Sequence, residues 1–468
     1  MKIKFIGAAR EVTGSKTLIT TEQGENILLD CGMFQGKGLE TDRMNRHLGV
    51  DAKNIDYVLL SHAHIDHSGL IPYLYKSGFR GSVISTHATR NLCSIMLADS
   101  GHIQELDALW FNKKQIRKNL PTITPLYSVE DAEKCIKLFI GVEYNRRFRI
   151  TDDIHVKFTN TGHMLGGGVV NLEIKERGNT TNIAYTGDIG RPENRILQSP
   201  VSFPQCDYLI TESTYGNRLH ESVKDMEAQL LKNIKETCII NKGKLIIPAF
   251  AIGRTQEIVY LLNKFHNEGK IPKIKVYVDS PLAVNATDIF RMHLSNLNKD
   301  VKKVLETDPD PFGFNSLYYI KRVEESKAIN EKDEPCIIIS ASGMAEAGRI
   351  KHHIANNISN PTNTIMMVGY CTPSSLGARL QEPGLKEISI FGKMYDVKAK
   401  ITKIEAFSGH ADYEEMIRFL ECQSVSDIKK TFLVHGEYEV QQAYQNHLSA
   451  VGFQNVEIPA SGSEYKLK

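Results

Sequence analysis

Apolar and polar positions along the chain change rhythm twice. From residue 2 to about residue 205, short alternating runs between turn residues predict strands at 3–6, 16–20, 26–29, 57–60, 83–86, 155–159, 169–174 and 182–185, with few helices among them. Between about residues 215 and 393, four continuous apolar runs at 245–247, 275–278, 336–339 and 365–368 each lead into a helical stretch. Continuous apolarity suits strands covered on both faces, so this region predicts a parallel α/β sheet. One of its helices is expected to open at Ser222, with Asp225 completing a capping box and Val223, Met226, Leu230 and Ile234 forming a buried stripe. After about Asp396 the first rhythm returns, with strands at 401–406 and 430–434 that each run into a polar, glycine-containing loop. The pattern predicts one domain inserted in another: residues 1–208 and 395–468 form the first, residues 209–394 the insertion. Domain termini usually lie close together at the surface, which makes such an insertion sterically easy. The segment Asp308-Pro309-Asp310-Pro311-Phe312-Gly313 reads as a loop.

Composition narrows the class without naming a chemistry. The 468 residues are 41% hydrophobic and 24% charged with a formal net charge of +2, so a sizeable core is expected and any polyanion site must be local. The eight cysteines (Cys31, Cys93, Cys135, Cys206, Cys238, Cys336, Cys371, Cys422) show no CxxC pair and read as reduced thiols in a chain too large to need disulfides. The first residues alternate as a strand rather than a signal peptide, and no run approaches the length of a membrane helix. A cytoplasmic protein is the expectation.

Chemistry enters at Ser61-His62-Ala63-His64-Ile65-Asp66-His67, where three imidazoles and a carboxylate fall within six residues at the end of a predicted strand. Histidine nitrogen and carboxylate oxygen suit zinc at about 2.0–2.2 Å, and four such donors exceed what one open catalytic zinc takes from a single segment. Two adjacent metals are therefore expected. His163, Asp188, Glu212, His410 and His435 also lie just past apolar strands, mostly beside glycine, so these strand ends should converge on one sheet edge. The remaining histidines read as structural, with His87 the nearest to an exception.

Asp30, the SHAHIDH run, His163, Asp188, Glu212, His410 and His435 together resemble the metallo-β-lactamase fold carrying a β-CASP insertion. The strings 211–218 (TESTYGNR), 248–254 (PAFAIGR), 341–344 (ASGM) and 369–371 (GYC) are similar to motifs of RNA-processing members such as the cleavage and polyadenylation endonuclease. The resemblance implies an αββα sandwich with an inserted parallel α/β domain. It also implies two zinc ions per chain, one held by His62, His64 and His163, the other by Asp66, His67 and His435, with Asp188 bridging and Asp30 supporting them from behind. Asp66 would double as a catalytic carboxylate, and His410, kept protonated by Glu212, would protonate the leaving oxygen.

Members that act on DNA usually lack a histidine at the place of His435, so RNA is the expected substrate, cleaved internally with cleavage from an end left open, in processing or decay. Arg254, Ser342, Gly343 and Ser408 are the candidate phosphate contacts. Self-association is left open and no membrane is expected. The alternatives are a hydrolase of a small ester, thioester or DNA on the same metals, and a metal-stabilised scaffold without turnover.

Overall fold

A computed structural model describes residues 1–36, 38–220, 226–369, 371–372, 374–404 and 409–467. The chain forms two compact units, Met1–Leu219 with Gly409–Lys468, and His220–Ser408.

The first unit begins with strands Lys2–Gly7 (β1), Lys16–Thr20 (β2), Asn26–Leu29 (β3), Tyr57–Leu59 (β4), Ser82–Thr86 (β5) and Phe139–Val142 (β6), followed by Phe148–Arg149 (β7), Ile154–Asn160 (β8), Gly168–Glu176 (β9), Asn179–Tyr185 (β10) and Tyr208–Glu212 (β11). The second unit contributes Lys244–Pro248 (β12), Lys275–Asp279 (β13), Leu317–Ile320 (β14), Cys336–Ser340 (β15), Thr364–Met367 (β16), the hairpin Glu387–Ile390 (β17) and Lys393–Asp396 (β18), and Lys400–Lys403 (β19). Lys430–Val434 (β20), Val456–Glu457 (β21) and Glu464–Lys466 (β22) return to the first unit.

In the first unit two seven-stranded sheets run β22-β1-β2-β3-β4-β5-β6 and β21-β20-β11-β10-β9-β8-β7. Alternation decides what lies between them. Ile3, Phe5, Ile19, Ile27 and Leu29 of the first sheet meet Val156, Phe158, Leu172, Ile183, Ile210 and Phe432 of the second in one buried core. The opposite face of the second sheet, carrying Ala184, Leu209 and Leu433, packs on Met416, Leu420, Tyr444 and Leu448 of helices Tyr413–Leu420 and Tyr438–Ala450. The long helix His87–Ile116 runs beside β5 and β6 of the first sheet, which completes an αββα sandwich.

The second unit holds a six-stranded sheet, β14-β13-β15-β12-β16-β19, in which every neighbouring pair is parallel. Its inner strands β12, β13, β15 and β16 are buried nearly throughout, as their continuous apolarity requires, while the edge strands β14 and β19 are partly exposed. The division between units differs from the expected limits of 208/209 and 394/395 because strand pairing, not composition, fixes it. β11 pairs in parallel with β10 and β20 and stays in the first unit, while β19 pairs with β16 and stays in the second. Ser222, Val223 and Asp225 of the expected capping box lie outside the described residues, and the helix is described from Met226 to Ile234, burying Met226, Leu230 and Ile234. Residues 405–406 of the strand expected at 401–406 also lie outside them. Among the described residues no helix is long and apolar enough to cross a membrane.

Candidate metal centre

Strand ends of the first unit supply every donor. β4 stops at Leu59, and the chain passes through Ser61, His62 and Ala63 before His64 caps the short helix Ile65–Ser68, which carries Asp66 and His67. His163 lies in the β8–β9 turn, Asp188 follows β10, Glu212 ends β11 and His435 follows β20 with a left-handed backbone, φ 56°. Gly187 shows how tightly the turns meet: its φ is 55°, and a Cβ there would lie 2.6 Å from Ser61 Cβ.

Four of the imidazoles, those of His62, His67, His163 and His435, are oriented from behind. His67 Nδ1 donates to Asp30 at 2.6 Å, and Asp30 also accepts from Ser61 N, Ser61 Oγ and Tyr185 Oη at 2.7 Å each. His163 Nδ1 donates to the Gly409 carbonyl at 3.1 Å, His62 Nδ1 contacts Ser61 Oγ at 3.0 Å, and His435 Nδ1 contacts Thr214 Oγ1 at 3.0 Å. Such backing fixes the ring and leaves the opposite nitrogen free to act as a ligand.

Those remaining atoms converge. His64 Nδ1 stands 3.1 Å from His62 Nε2 and 3.2 Å from His163 Nε2, and Asp188 Oδ2 stands 3.3 and 3.4 Å from the same two Nε2 atoms. Four donors around one tetrahedral zinc stand about 3.3–3.6 Å apart when each bond is about 2.0–2.2 Å. On the other side, Asp188 Oδ1 lies 3.2 Å from His67 Nε2 and 3.7 Å from His435 Nε2, which is 3.3 Å from Asp66 Oδ2. The donor groups His62/His64/His163/Asp188 and Asp66/His67/His435 thus sit on the two oxygens of one carboxylate.

Satisfaction and charge test the fit to metal. His67 Nε2 and Asp188 Oδ1 are buried with no hydrogen-bond partner among the described residues. Burial holds His62 and His163 below the ordinary imidazole range and His64 down at about 3, so their lone pairs are available. For His67 burial acts downward too, but Asp188 and Asp30 outweigh it and raise the ring well above 6.5. A buried carboxylate pulling a proton onto a facing imidazole marks a place that wants a cation. The residues fit zinc.

Beside these donors, His410 Nδ1 lies 3.1 and 3.2 Å from the two oxygens of Glu212, and its Nε2 lies 3.9 Å from Asp188 Oδ2. Glu212 is fully buried and also accepts from Thr214 Oγ1 and the Ile189 amide. Burial pulls His410 down, but Glu212 first and Asp188 next reverse this and hold it at about 9. With cations on Asp188, Glu212 is the group left to keep the ring charged. His410 is anchored by its backbone: it bridges Gly190, and the Ala411 amide donates to the Ile189 carbonyl at 2.8 Å.

The structure therefore brings together Asp30, His62, His64, Asp66, His67, His163, Asp188, Glu212, His410 and His435. His87 instead opens the long helix and belongs to none of the donor groups found among the described residues. The expected phosphate contacts lie in the second unit. Arg254 opens the helix Arg254–Asn267 with its guanidinium on Glu257, Ser342 exchanges hydrogen bonds with the backbone of Ala347, and Gly343 packs against the Phe250 ring. Ser408 lies outside the described residues. Thr214, which touches both Glu212 and His435, and Tyr185, which holds Asp30, were not anticipated. Thr214 falls inside the 211–218 string, but nothing in its spacing distinguishes it.

Comparison with known proteins shows the family of the chain. The metallo-beta-lactamase superfamily model matches residues 10–225, the Beta-Casp domain model residues 255–380, and the Zn-dependent metallo-hydrolase RNA specificity domain model residues 394–459. The chain is 32% identical over 441 residues to Ribonuclease TTHA0252 of Thermus thermophilus, covering 94% of each protein. It is 34% identical to an RNase J-like protein of Methanocaldococcus jannaschii, covering 93% of this chain and 92% of that one. It is also 32% identical to transcription termination factor FttA of Methanococcus maripaludis, covering 93% of this chain and 67% of that one. A crystal structure of an Enterococcus faecalis protein of unknown function shares the fold, with TM-score 0.57 at 13% identity over 100% of this chain and 99% of that one.

Proposed function

The chain belongs to the β-CASP family of metallo-β-lactamase-fold ribonucleases, and from that premise we propose how its strand-end residues cleave RNA. It is a zinc-dependent metallo-hydrolase acting on RNA phosphodiester bonds in processing or decay. His62, His64 and His163 would hold one ion and Asp66, His67 and His435 the second, with Asp188 a donor to both. When bound, the two ions supply Lewis acidity that draws the phosphate's charge and lowers the pKa of water toward neutrality.

The chain's own residues do the rest. Asp30 fixes the His67 ring, and the Gly409 carbonyl fixes His163. Asp66, paired with His435, would orient the attacking water, whose proton passes to solvent. As the bond from phosphorus to the departing oxygen breaks, His410 donates the proton on Nε2 to that oxygen, while Glu212 holds Nδ1–H and stabilises the charged ring beforehand. The observation that carries this reading is the paired hydrogen bonding of His410 to a fully buried glutamate within 3.9 Å of the carboxylate shared by both donor groups. Arg254, Ser342, Gly343 and Ser408 meet phosphates, Arg254 by exchanging Glu257 for the substrate. All eight cysteines are free, which supports a reducing compartment such as the cytoplasm.

A zinc-loaded assay on end-labelled single-stranded RNA and DNA of equal sequence tests the reading. Internal RNA fragments support it; cleavage of DNA alone, or of neither, overturns it.

A further inference from the structure

The long helix His87–Ile116 is apolar on the wrong side. Its outer half buries small or polar residues, among them Gly101 and Ala108, with Gln104 half-buried. Ile103, Leu106, Leu109, Trp110 and Ile116 are 46 to 64% exposed. At 100° per residue these five fall within about 140° of arc, a single stripe about 20 Å long. Leu120 and Ile123 continue it past the helix end, where Asn112 clamps the backbone of Ile123 through both its amide groups at 2.8 Å. Of nineteen exposed large hydrophobic residues among those described, seven fall between residues 103 and 123. An even spread over the chain would put about one there, so the stripe is a surface of its own.

Charge says what covers it. Glu105 and Asp107 flank the stripe near its start, while Lys113, Lys114, Arg117 and Lys118 crowd its end. Among the described residues none of the six forms an ion pair, and Lys114 instead lies 3.4 Å over the Trp110 ring. We infer that this stripe is the self-association surface of the chain, two copies pairing antiparallel about Trp110. Reversing one helix across that point sets Asp107 opposite Lys113 and within a turn of Lys114, which lies on the same flank of the stripe, in both halves at once, as a two-fold interface requires. A parallel pair would set the cationic ends against each other. RNA would be drawn to the four cations but repelled by the acidic pair, and it has no use for five aliphatic and indole side chains in a row. A stripe this size lies at the low end of specific interfaces, which bury about 1,200 Å² or more, so the pair is reversible and forms as concentration rises.

Trp110 is the chain's single tryptophan, so its emission reports the contact directly. Sedimentation and fluorescence of the full zinc-loaded chain from about 0.1 to 200 µM should show the mass doubling from 52.6 kDa while the emission shifts to the blue. Leu106→Glu keeps the reporter and should hold the chain monomeric and red-shifted throughout, with unchanged circular dichroism and unchanged turnover per chain; Trp110→Glu should do the same by mass. Glu105→Lys/Asp107→Lys and Lys113→Glu/Lys114→Glu should each weaken self-association at least tenfold, and mixing the two should restore a heterodimer. A wild-type mass that stays at 52.6 kDa, a dimer that survives Leu106→Glu, or failure of the mixed variants to pair overturns the inference. So does an emission shift that appears only with RNA or anionic vesicles.

Discussion

Among the described residues, one buried cluster of carboxylate and histidine lies in each unit, and the two differ in whether protein groups finish them. In the second unit, Asp279 at the end of β13 is fully buried; one oxygen accepts from Arg349 at 2.6 Å, the other from His353 Nε2 at 2.6 Å and from Ser326 Oγ. His353 Nδ1 is in turn satisfied by Asn330 at 3.0 Å, and Arg349 supplies the balancing charge. Asp188 in the first unit faces five histidines, and among the described residues it pairs with no arginine and one of its oxygens has no hydrogen-bond partner. Residue types alone would not separate the two. What separates them is whether protein groups close every polar valence, since a buried charge persists only when paired. A closed cluster holds a fold together, whereas an open one waits for an ion.

The sharpest way to break that contrast is to remove a donor from each. Asp188→Ala should lose both zinc ions by elemental analysis and lower turnover by about 10⁴-fold or more, since it withdraws a ligand from both donor groups. Asp279→Ala should leave zinc stoichiometry at two. If it strips zinc, the distinction between open and closed clusters fails.

His410→Ala should keep both metals and lower kcat by about 10²–10⁴-fold, the range of a single proton-transfer group. Glu212→Gln should follow it more weakly, because the ring remains while its charge is no longer held. A His410→Ala enzyme at wild-type rate would take the residue out of the mechanism.

The Asp279→Ala variant itself should pay in stability, about 3–5 kcal/mol by denaturant unfolding, because Arg349 and His353 lose their common partner. A loss below about 1 kcal/mol would mean that water replaces the carboxylate.

A smaller effect comes from a third kind of buried charge, Lys16 in β2, which has no exposed surface and whose ammonium lies 3.4 Å from the Gly32 carbonyl and 4.5 Å over the Phe34 ring. Burial lowers its pKa from 10.5 to about 8. The unfolded chain then binds more protons between those values, so stability relative to Lys16→Met should be flat below pH 8 and rise toward pH 10.5 by at most about 3 kcal/mol. Parallel pH curves for the two proteins would show that the ammonium is not desolvated.

The same contrast explains what the sequence disclosed. The SHAHIDH run and the strand-end positions of His163, Asp188, Glu212, His410 and His435 were legible because open donors must sit where a strand stops and a turn can approach. The parallel sheet of the second unit was legible in its unbroken apolar runs. Three things were not. The limits of the two units depend on β11 and β19 pairing with strands far away in sequence. Thr214 and Tyr185 act through hydroxyls whose value appears only when their partners arrive. The helix His87–Ile116 escaped because its large apolar residues face outward over the last four turns, so its periodicity does not point to a core.

One consequence lies in the order of synthesis. His62, His64, His163 and Asp188 are all made before the second unit begins, but His410 and His435 belong to the segment Gly409–Lys468, which re-enters the first unit only after the second has been translated. A growing chain can therefore gather one donor group early, yet it has neither the remaining histidine nor the proton donor until its final stretch emerges. Neither the second donor group nor the proton donor can be complete before that segment has joined the first unit.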